Sequence, residues 1–277
     1  MRDLYHGDQM MKFVRAGFAV VAPDYAGLGT DGRHELGNKV AGSNDVLHAI
    51  SAARTAVPHL SRRWVLWGHS QGGGIGLAVG EVQRTDPAPG YLGAVITAPA
   101  ANLPAIAERV ATTPGFGGFV PLLIAGAQHG DPKVDPAKLL AAEAFAVGKC
   151  LGLTKTGCLG VVTAAYAHLS GEQLVSPAYW VDPRFAKFLE NNTVGRRPIG
   201  GPVLLLQGTS DAVIPRGETD DIARRLCAVG TRLDYRVYPG LDHDTTQWST
   251  GIDDGAMPDI LKWVTDRFAG KPARTTC

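Results

Sequence analysis

The sequence lacks a surplus of either charge: 27 Lys and Arg stand against 26 Asp and Glu, a formal net charge of +1. With the signs interspersed there is no basic stripe, which argues against nucleic acid as a partner. No apolar run approaches the roughly 18 residues of a membrane span, so no transmembrane segment is expected. The opening residues, MRDLYHGDQMMKFVRAG, carry acidic groups and no sustained apolar core, and do not read as a signal peptide. Taken at face value, that start leaves the chain in the cytoplasm. Cysteine is scarce too, with four residues, Cys150, Cys158, Cys227 and Cys277. None forms a C-x-x-C pair or a Cys/His metal spacing, so no metal is expected. Cys150 and Cys158, in KCLGLTKTGC, either close a local disulfide in an oxidising compartment or remain two free thiols. A phosphate loop, a flavin fingerprint and internal repeats are also absent, and no cofactor is expected.

What is present is organised around WVLWGHSQGG, residues 64 to 73. An apolar and aromatic run breaks into Gly68-His69-Ser70-Gln71-Gly72 and then into a Gly-rich helical segment. The spacing fits G-x-S-x-G, a strand-turn-helix in which Ser70 occupies a strained position and the glycines let strand and helix approach closely. Such a turn raises the serine hydroxyl above a sheet edge and aims the N–H of Gln71 at the same point, supplying nucleophile and oxyanion donor together. A Gly-rich turn can also be purely structural.

At 277 residues the chain can bury about three quarters of its unfolded surface, which suits one large α/β domain carrying an insertion. Residues 5 to 16 read as a short helix ended by Gly17, and Phe18 to Ala22 as a short apolar strand covered on both faces. Ser43 or Asn44 caps the next helix, with Val46, Ile50, Ala53 and Val57 as its buried stripe. The Trp64 strand, a helix to about Arg84 and a strand from Leu92 to Thr97 follow, an alternation that predicts a parallel sheet. From Ala100 to Gly201 the alternation lapses into a helical, Pro- and Gly-broken insertion. Strand grammar resumes at Pro202 to Gln207 and Leu233 to Tyr238, with helices from about Glu218 to Val229 and Met257 to Phe268. The core is thus expected over 1–100 and 201–277 and a helical cap over 101–200.

Ser70, Asp211 and His243 each follow a predicted strand, in the chain order of α/β hydrolases, where loops beyond the carboxyl ends of parallel strands converge. A serine hydroxyl becomes nucleophilic when an imidazole accepts its proton, and a carboxylate fixes that imidazole's tautomer. Plainer readings exist: Asp211 as a turn residue after Gly208-Thr209-Ser210, and His243 as a solvated loop histidine. Their coincidence at three strand ends favours the triad. His69 is expected to pack beside the nucleophile. His6, His34, His48, His59, His129 and His168 are assigned surface or packing roles.

Four segments, AGFAVVAPDYAGLG at 16 to 29, WGHSQGG at 67 to 73, GTSDAVIP at 208 to 215 and YPGLDH at 238 to 243, resemble the secretory lipase family of α/β hydrolases, the fungal lipase A type. The resemblance implies an α/β-hydrolase fold with a helical cap over an acyl channel, to which Phe116 to Ala127 can contribute a wall or only packing. It implies Ser70 as nucleophile, Asp211 as orienting acid, His243 as base, and Gln71 with Asp24 at the oxyanion hole. Asp24 otherwise reads as a β-turn carboxylate after Pro23. The resemblance also implies secretion and a small-molecule ester or lipid substrate, hydrolysed through an acyl-enzyme. A related acyl-transfer enzyme, or an inactive hydrolase or acyl-binding protein, is the alternative. Only 17 residues precede Phe18, so the first strands of the fold are expected to be missing and the N-terminus truncated.

Overall fold

The computed structural model describes residues 6–28, 34–151 and 159–277. In chain order the elements are α1 (Gly7–Arg15), α2 (Lys39–Ala56), β1 (Trp64–His69), α3 (Gln71–Thr85), β2 (Tyr91–Thr97), α4 (Leu103–Thr112), α5 (Phe119–Gly130), α6 (Pro136–Leu139), α7 (Ala142–Leu151), α8 (Leu159–Tyr166), α9 (Pro183–Asn192), β3 (Val203–Gly208), α10 (Arg216–Ala228), β4 (Leu233–Tyr238), α11 (Ile252–Gly255) and α12 (Met257–Phe268). They fall into two compact units. One comprises Met1–Pro23, Val46–Ala101 and Val194–Cys277, the other Asp24–Asp45 and Asn102–Thr193.

The first unit holds a four-stranded parallel sheet in the order β1-β2-β3-β4, with Leu66 opposite Ala94, Ala94 opposite Val203 and Val203 opposite Leu233. All six residues of β3 are buried, as a central parallel strand covered on both faces must be. Alternation sends Leu204 and Leu206 into a core with Ile252, Met257, Ile260 and Val264 of α11 and α12. Each such buried leucine contributes about 1.5–3 kcal/mol. Helix α3 covers β1 and β2, and the absence of side chains on its inner face sets how close it lies. A Cβ on Gly76 would fall 2.6 Å from Ile96 Cδ1 and 2.7 Å from Leu66 Cδ2. Along β4 the C-terminal tail hydrogen-bonds the outer edge, Thr276 N–H to Leu233 O at 2.7 Å and Tyr235 N–H to Thr276 Oγ1 at 3.0 Å. A Cys227–Cys277 disulfide fastens that tail to α10.

Three expectations need correction. Neither Ser43 nor Asn44 caps α2, which begins at Lys39; Ser43 lies inside the helix with its hydroxyl donating to Lys39 O. Phe18 to Ala22 is not a strand, and Val20 and Val21 are 39% and 46% exposed. A β run needs a partner for its backbone groups, and among the described residues no strand pairs with the outer edge of β1. Phe18 instead anchors the segment by its ring, 5.0 Å from that of Phe268. Likewise Val46, Ile50 and Ala53 of α2 are only half-buried and Val57 is 50% exposed, because no strand is supplied by residues 18–22 for that stripe to cover. The choice between a local Cys150–Cys158 disulfide and two free thiols falls outside the described residues, since Cys158 is not among them.

The second unit is a helical cluster of its own. Val120, Leu123, Ile124 and Ala127 of α5 pack with Leu103, Ala107 and Val110 of α4 and with Phe185 and Leu189 of α9. Those buried residues of the 116–127 stretch therefore form this unit's core. Its two buried tyrosines are satisfied, Tyr166 hydroxyl donating to Ala144 O and Tyr179 hydroxyl to Ala107 O, both at 3.0 Å. Asp182 caps α9 by accepting from the N–H groups of Arg184 and Phe185.

Candidate active site

The turn from β1 to α3 puts Ser70 at φ 54° and ψ −116°, a left-handed backbone at a residue with a Cβ. It is held by three backbone bonds: Ser70 N–H to Thr97 O at 3.0 Å, Gly74 N–H to Ser70 O at 3.0 Å and Ala100 N–H to Ser70 O at 2.9 Å. The end of β2 thus overdetermines the strained residue, the condition under which strain persists. Glycine is required beside it, since a Cβ on Gly68 would lie 2.1 Å from Gly72 O. Gln71 is the first residue of α3, where backbone N–H groups run out along the helix axis.

Asp211 follows β3 in a turn that its own side chain organises. Oδ1 accepts from Val213 N–H at 2.9 Å and Ile214 N–H at 2.7 Å. Oδ2 accepts from Gln207 Nε2 at 2.9 Å and is 2.9 Å from His243 Nδ1. The carboxylate is fully buried and the imidazole nearly so. With acceptor-only oxygens facing Nδ1, the imidazole donates Nδ1–H and presents the Nε2 lone pair. His243 comes into place because β4 and β3 end side by side: Gly208 is so close to Leu241 that a Cβ there would sit 2.1 Å from Leu241 O. Asp242 fixes the loop by accepting the His243 N–H at 2.7 Å and the Ala212 N–H at 3.3 Å.

His69 links the Ser70 turn to this pair, its ring centroid 4.6 Å from that of His243. Its Nδ1 is 3.1 Å from Thr97 Oγ1 and its Nε2 is 3.1 Å from Asp244 Oδ1. Burial lowers its pKa, against the opposing pull of the Asp244 hydrogen bond. His6, at the start of α1, stands edge-on to His69 with ring centroids 4.8 Å apart. His6, His69 and Asp244 together could hold a metal ion, their ligating atoms all lying within 4.8 Å of one another.

Asp211 and His243 are therefore in direct contact, and Ser70 is joined to them through its neighbour His69. Asp24 lies in the second unit, exposed and outside any regular element. Sequence reasoning missed Gln207, whose signal was a lone amide ending an otherwise apolar strand. It also missed His6, which carried no signal.

The model of the secretory lipase family matches residues 8–276. This chain belongs to the secretory lipase family. Lipase 6 of Candida albicans is similar to it at 28% identity, over 95% of this chain and 58% of that protein. A probable inactive lipase of Mycobacterium tuberculosis is 27% identical, over 92% of this chain and 56% of its own length. The chain thus spans less than three fifths of these two curated relatives. Among solved structures, Candida antarctica lipase A superposes with a TM-score of 0.72 at 16% identity, over 88% of this chain and 57% of that one. That likeness shows the α/β-hydrolase fold, in keeping with the parallel sheet and flanking helices described above. No helix among the described residues is long and apolar enough to cross a membrane.

Proposed function

We propose that this secretory lipase family member is a serine hydrolase that cleaves carboxylic esters of acyl chains through an acyl-enzyme. Ser70 Oγ attacks the ester carbonyl while His243 Nε2 takes its proton, and Asp211 holds Nδ1–H and stabilises the imidazolium. The N–H of Gln71 receives the developing oxyanion, and the family resemblance supplies Asp24 as the second donor. Each such donor is worth roughly 3–4 kcal/mol of transition-state stabilisation. His243 then protonates the departing alcohol, and a water activated in the same way releases the acid. The observation that carries this reading is the buried Asp211–His243 pair, 2.9 Å apart, against which the strained Ser70 turn is packed through His69. Secretion accords with the family and with the Cys227–Cys277 bridge, a feature of oxidising compartments.

The test is labelling by a fluorophosphonate probe, followed by a chain-length series of aryl esters run beside a thioester and an anilide. Labelling of the wild type and not of Ser70→Ala, with esters turned over fastest, is the expected result. Preference for the thioester or the anilide would move the chain to a related acyl-transfer enzyme. A second reading, a catalytically inactive member, has support in the Mycobacterium tuberculosis relative named a probable inactive lipase. Neither labelling nor turnover in a folded preparation would establish it.

A further inference from the structure

His69 Nε2 lies 3.1 Å from Asp244 Oδ1, and its Nδ1 lies 3.1 Å from Thr97 Oγ1. In the Nε2–H tautomer the ring donates to the carboxylate and accepts from the Thr97 hydroxyl. In the Nδ1–H tautomer the hydroxyl turns to Gly68 O, 3.2 Å away, and the Nε2 lone pair and the carboxylate face one another as two ligands for a cation. His6 approaches the same oxygen, its Nε2 4.0 Å from Asp244 Oδ1. Its other nitrogen, Nδ1, faces Asp253 Oδ2 at 3.5 Å. Asp253 is itself fixed by Gln9 Nε2 at 3.3 Å and by Thr245 N–H at 2.9 Å. Both imidazoles are therefore engaged at Nδ1 by an outer partner, Thr97 or Asp253, with Nε2 directed at one carboxylate oxygen. Metal-bound histidines are oriented in this way.

We propose that His6, His69 and Asp244 form a site for a divalent transition ion of the zinc class. Two imidazoles and a carboxylate are the donors such an ion prefers, and a water would complete a tetrahedron. Bonds of about 2.0–2.1 Å place ligand atoms roughly 3.4 Å apart around a tetrahedral ion. Two of the observed separations, 3.1 and 4.0 Å, lie on either side of that value, and all three ligating atoms fall within 4.8 Å of one another. Asp244 and Asp253 together carry the two negative charges that balance a dication. Among the described residues His6 is one of three non-glycine residues with positive φ, at 57°, so the backbone is bent out of its ordinary range where it presents this ring. No sequence spacing announces such a site, because its ligands come from the start of α1, the end of β1 and the loop after β4.

The placement gives the ion a role. His69 precedes Ser70 and Asp244 follows His243, so one ion would clamp the nucleophile turn to the histidine loop and tie both to the N-terminal helix. The ion is a structural clip here, and the proposal stands whether or not the chain hydrolyses esters.

Tag-free full-length chain carrying Ser70→Ala, stripped with EDTA, is titrated with zinc chloride by calorimetry and with cobalt(II) by visible absorption. We expect about one equivalent bound with sub-micromolar affinity, cobalt bands of a four- or five-coordinate nitrogen and oxygen site, and a melting temperature raised by several degrees. His6→Ala should weaken zinc binding at least about 100-fold, leaving the metal-free circular dichroism spectrum unchanged. His6→Gln replaces it if the alanine variant does not fold. No binding up to about 100 μM zinc would mean that a proton alone bridges the pair, and binding undiminished by the loss of His6 would place the ion elsewhere. Either result overturns the proposal.

Discussion

Removing the Cys227–Cys277 bridge should lower the melting temperature by an amount the structure fixes closely. The bridge spans 50 residues of sequence, a loop that contains β4, α11 and α12. Chain-entropy reasoning gives a loop of that length about 4 kcal/mol of stabilisation through the unfolded state. Unfolding entropy of about 2.1 cal/mol/K per residue gives roughly 0.6 kcal/mol/K for all 277 residues, so the shift is about 7 °C if the chain melts as one body. The sheet unit alone, 23, 56 and 84 residues in its three segments or 163 in all, has an entropy of roughly 0.34 kcal/mol/K, and its own transition would fall by about 12 °C. Scanning calorimetry of the Cys227→Ser, Cys277→Ser double variant, beside wild type with and without reductant, distinguishes the two cases. The tail bonds of Thr276 to β4 should lose protection from hydrogen exchange in the same variant. A shift below about 3 °C, with that protection intact, would refute the reasoning, because the unfolded-state constraint would then be negligible.

Asp211→Asn should leave the fold in place and reduce kcat by about 10³- to 10⁴-fold on an aryl ester, since an amide no longer selects the Nδ1–H tautomer of His243. Gln207→Leu removes a donor to Asp211 and leaves the Thr219 hydroxyl, 2.7 Å from Gln207 Oε1, without its acceptor. Urea unfolding should show a loss of about 1–3 kcal/mol, and kcat should fall about tenfold with KM unchanged. Gly68→Ala forces a Cβ to 2.1 Å from Gly72 O, so both fluorophosphonate labelling and thermal stability should be lost, and an active, stable variant would contradict the tight turn. Lys262 and Lys271 hold the Asp266 carboxyl down to about 2. A depressed carboxyl stabilises the fold above its unfolded pKa and loses that contribution as pH falls toward 2, so Lys262→Met should move the Asp266 carbon-13 titration upward.

The elements legible in the sequence are those whose signal is local. β3 is the plainest case, an unbroken apolar run that folds as a strand buried along its whole length, and α12 carries its stripe of Ile260 and Val264 into the core. Phe18 to Ala22 offered the same local signal and failed, because being a strand depends on a neighbour that sequence composition does not specify. The disulfide shows the same limit from the other side. Cys227 finds Cys277 only after the tail has run back along β4, a pairing across 50 residues that no local spacing marks.

The candidate site was legible for a different reason: its chemistry is placed by strand ends, and strand ends are marked. Gly68, Gly208 and the Pro239-Gly240 turn each end a readable strand, and the candidate residue follows within a few positions. What holds those residues in place was not legible. Gln207 reaches Asp211 from inside the sheet, and Asp242 bonds both the His243 and Ala212 backbones, tying the Asp211 loop to the His243 loop. These contacts arise where β3 and β4 run in register, from Val203 opposite Leu233 to Gly208 opposite Tyr238. Parallel pairing delivers both loops to one edge at one height, so the Asp211–His243 pair depends on the register of the two strands farthest from the strand that ends at Ser70. A slip of one residue between β3 and β4 would displace Asp211 from His243 by about 3.3 Å, more than the 2.9 Å bond that joins them. The geometry of the candidate site is therefore secured by the apolar packing of Leu204 and Leu206 as much as by the polar groups that meet there.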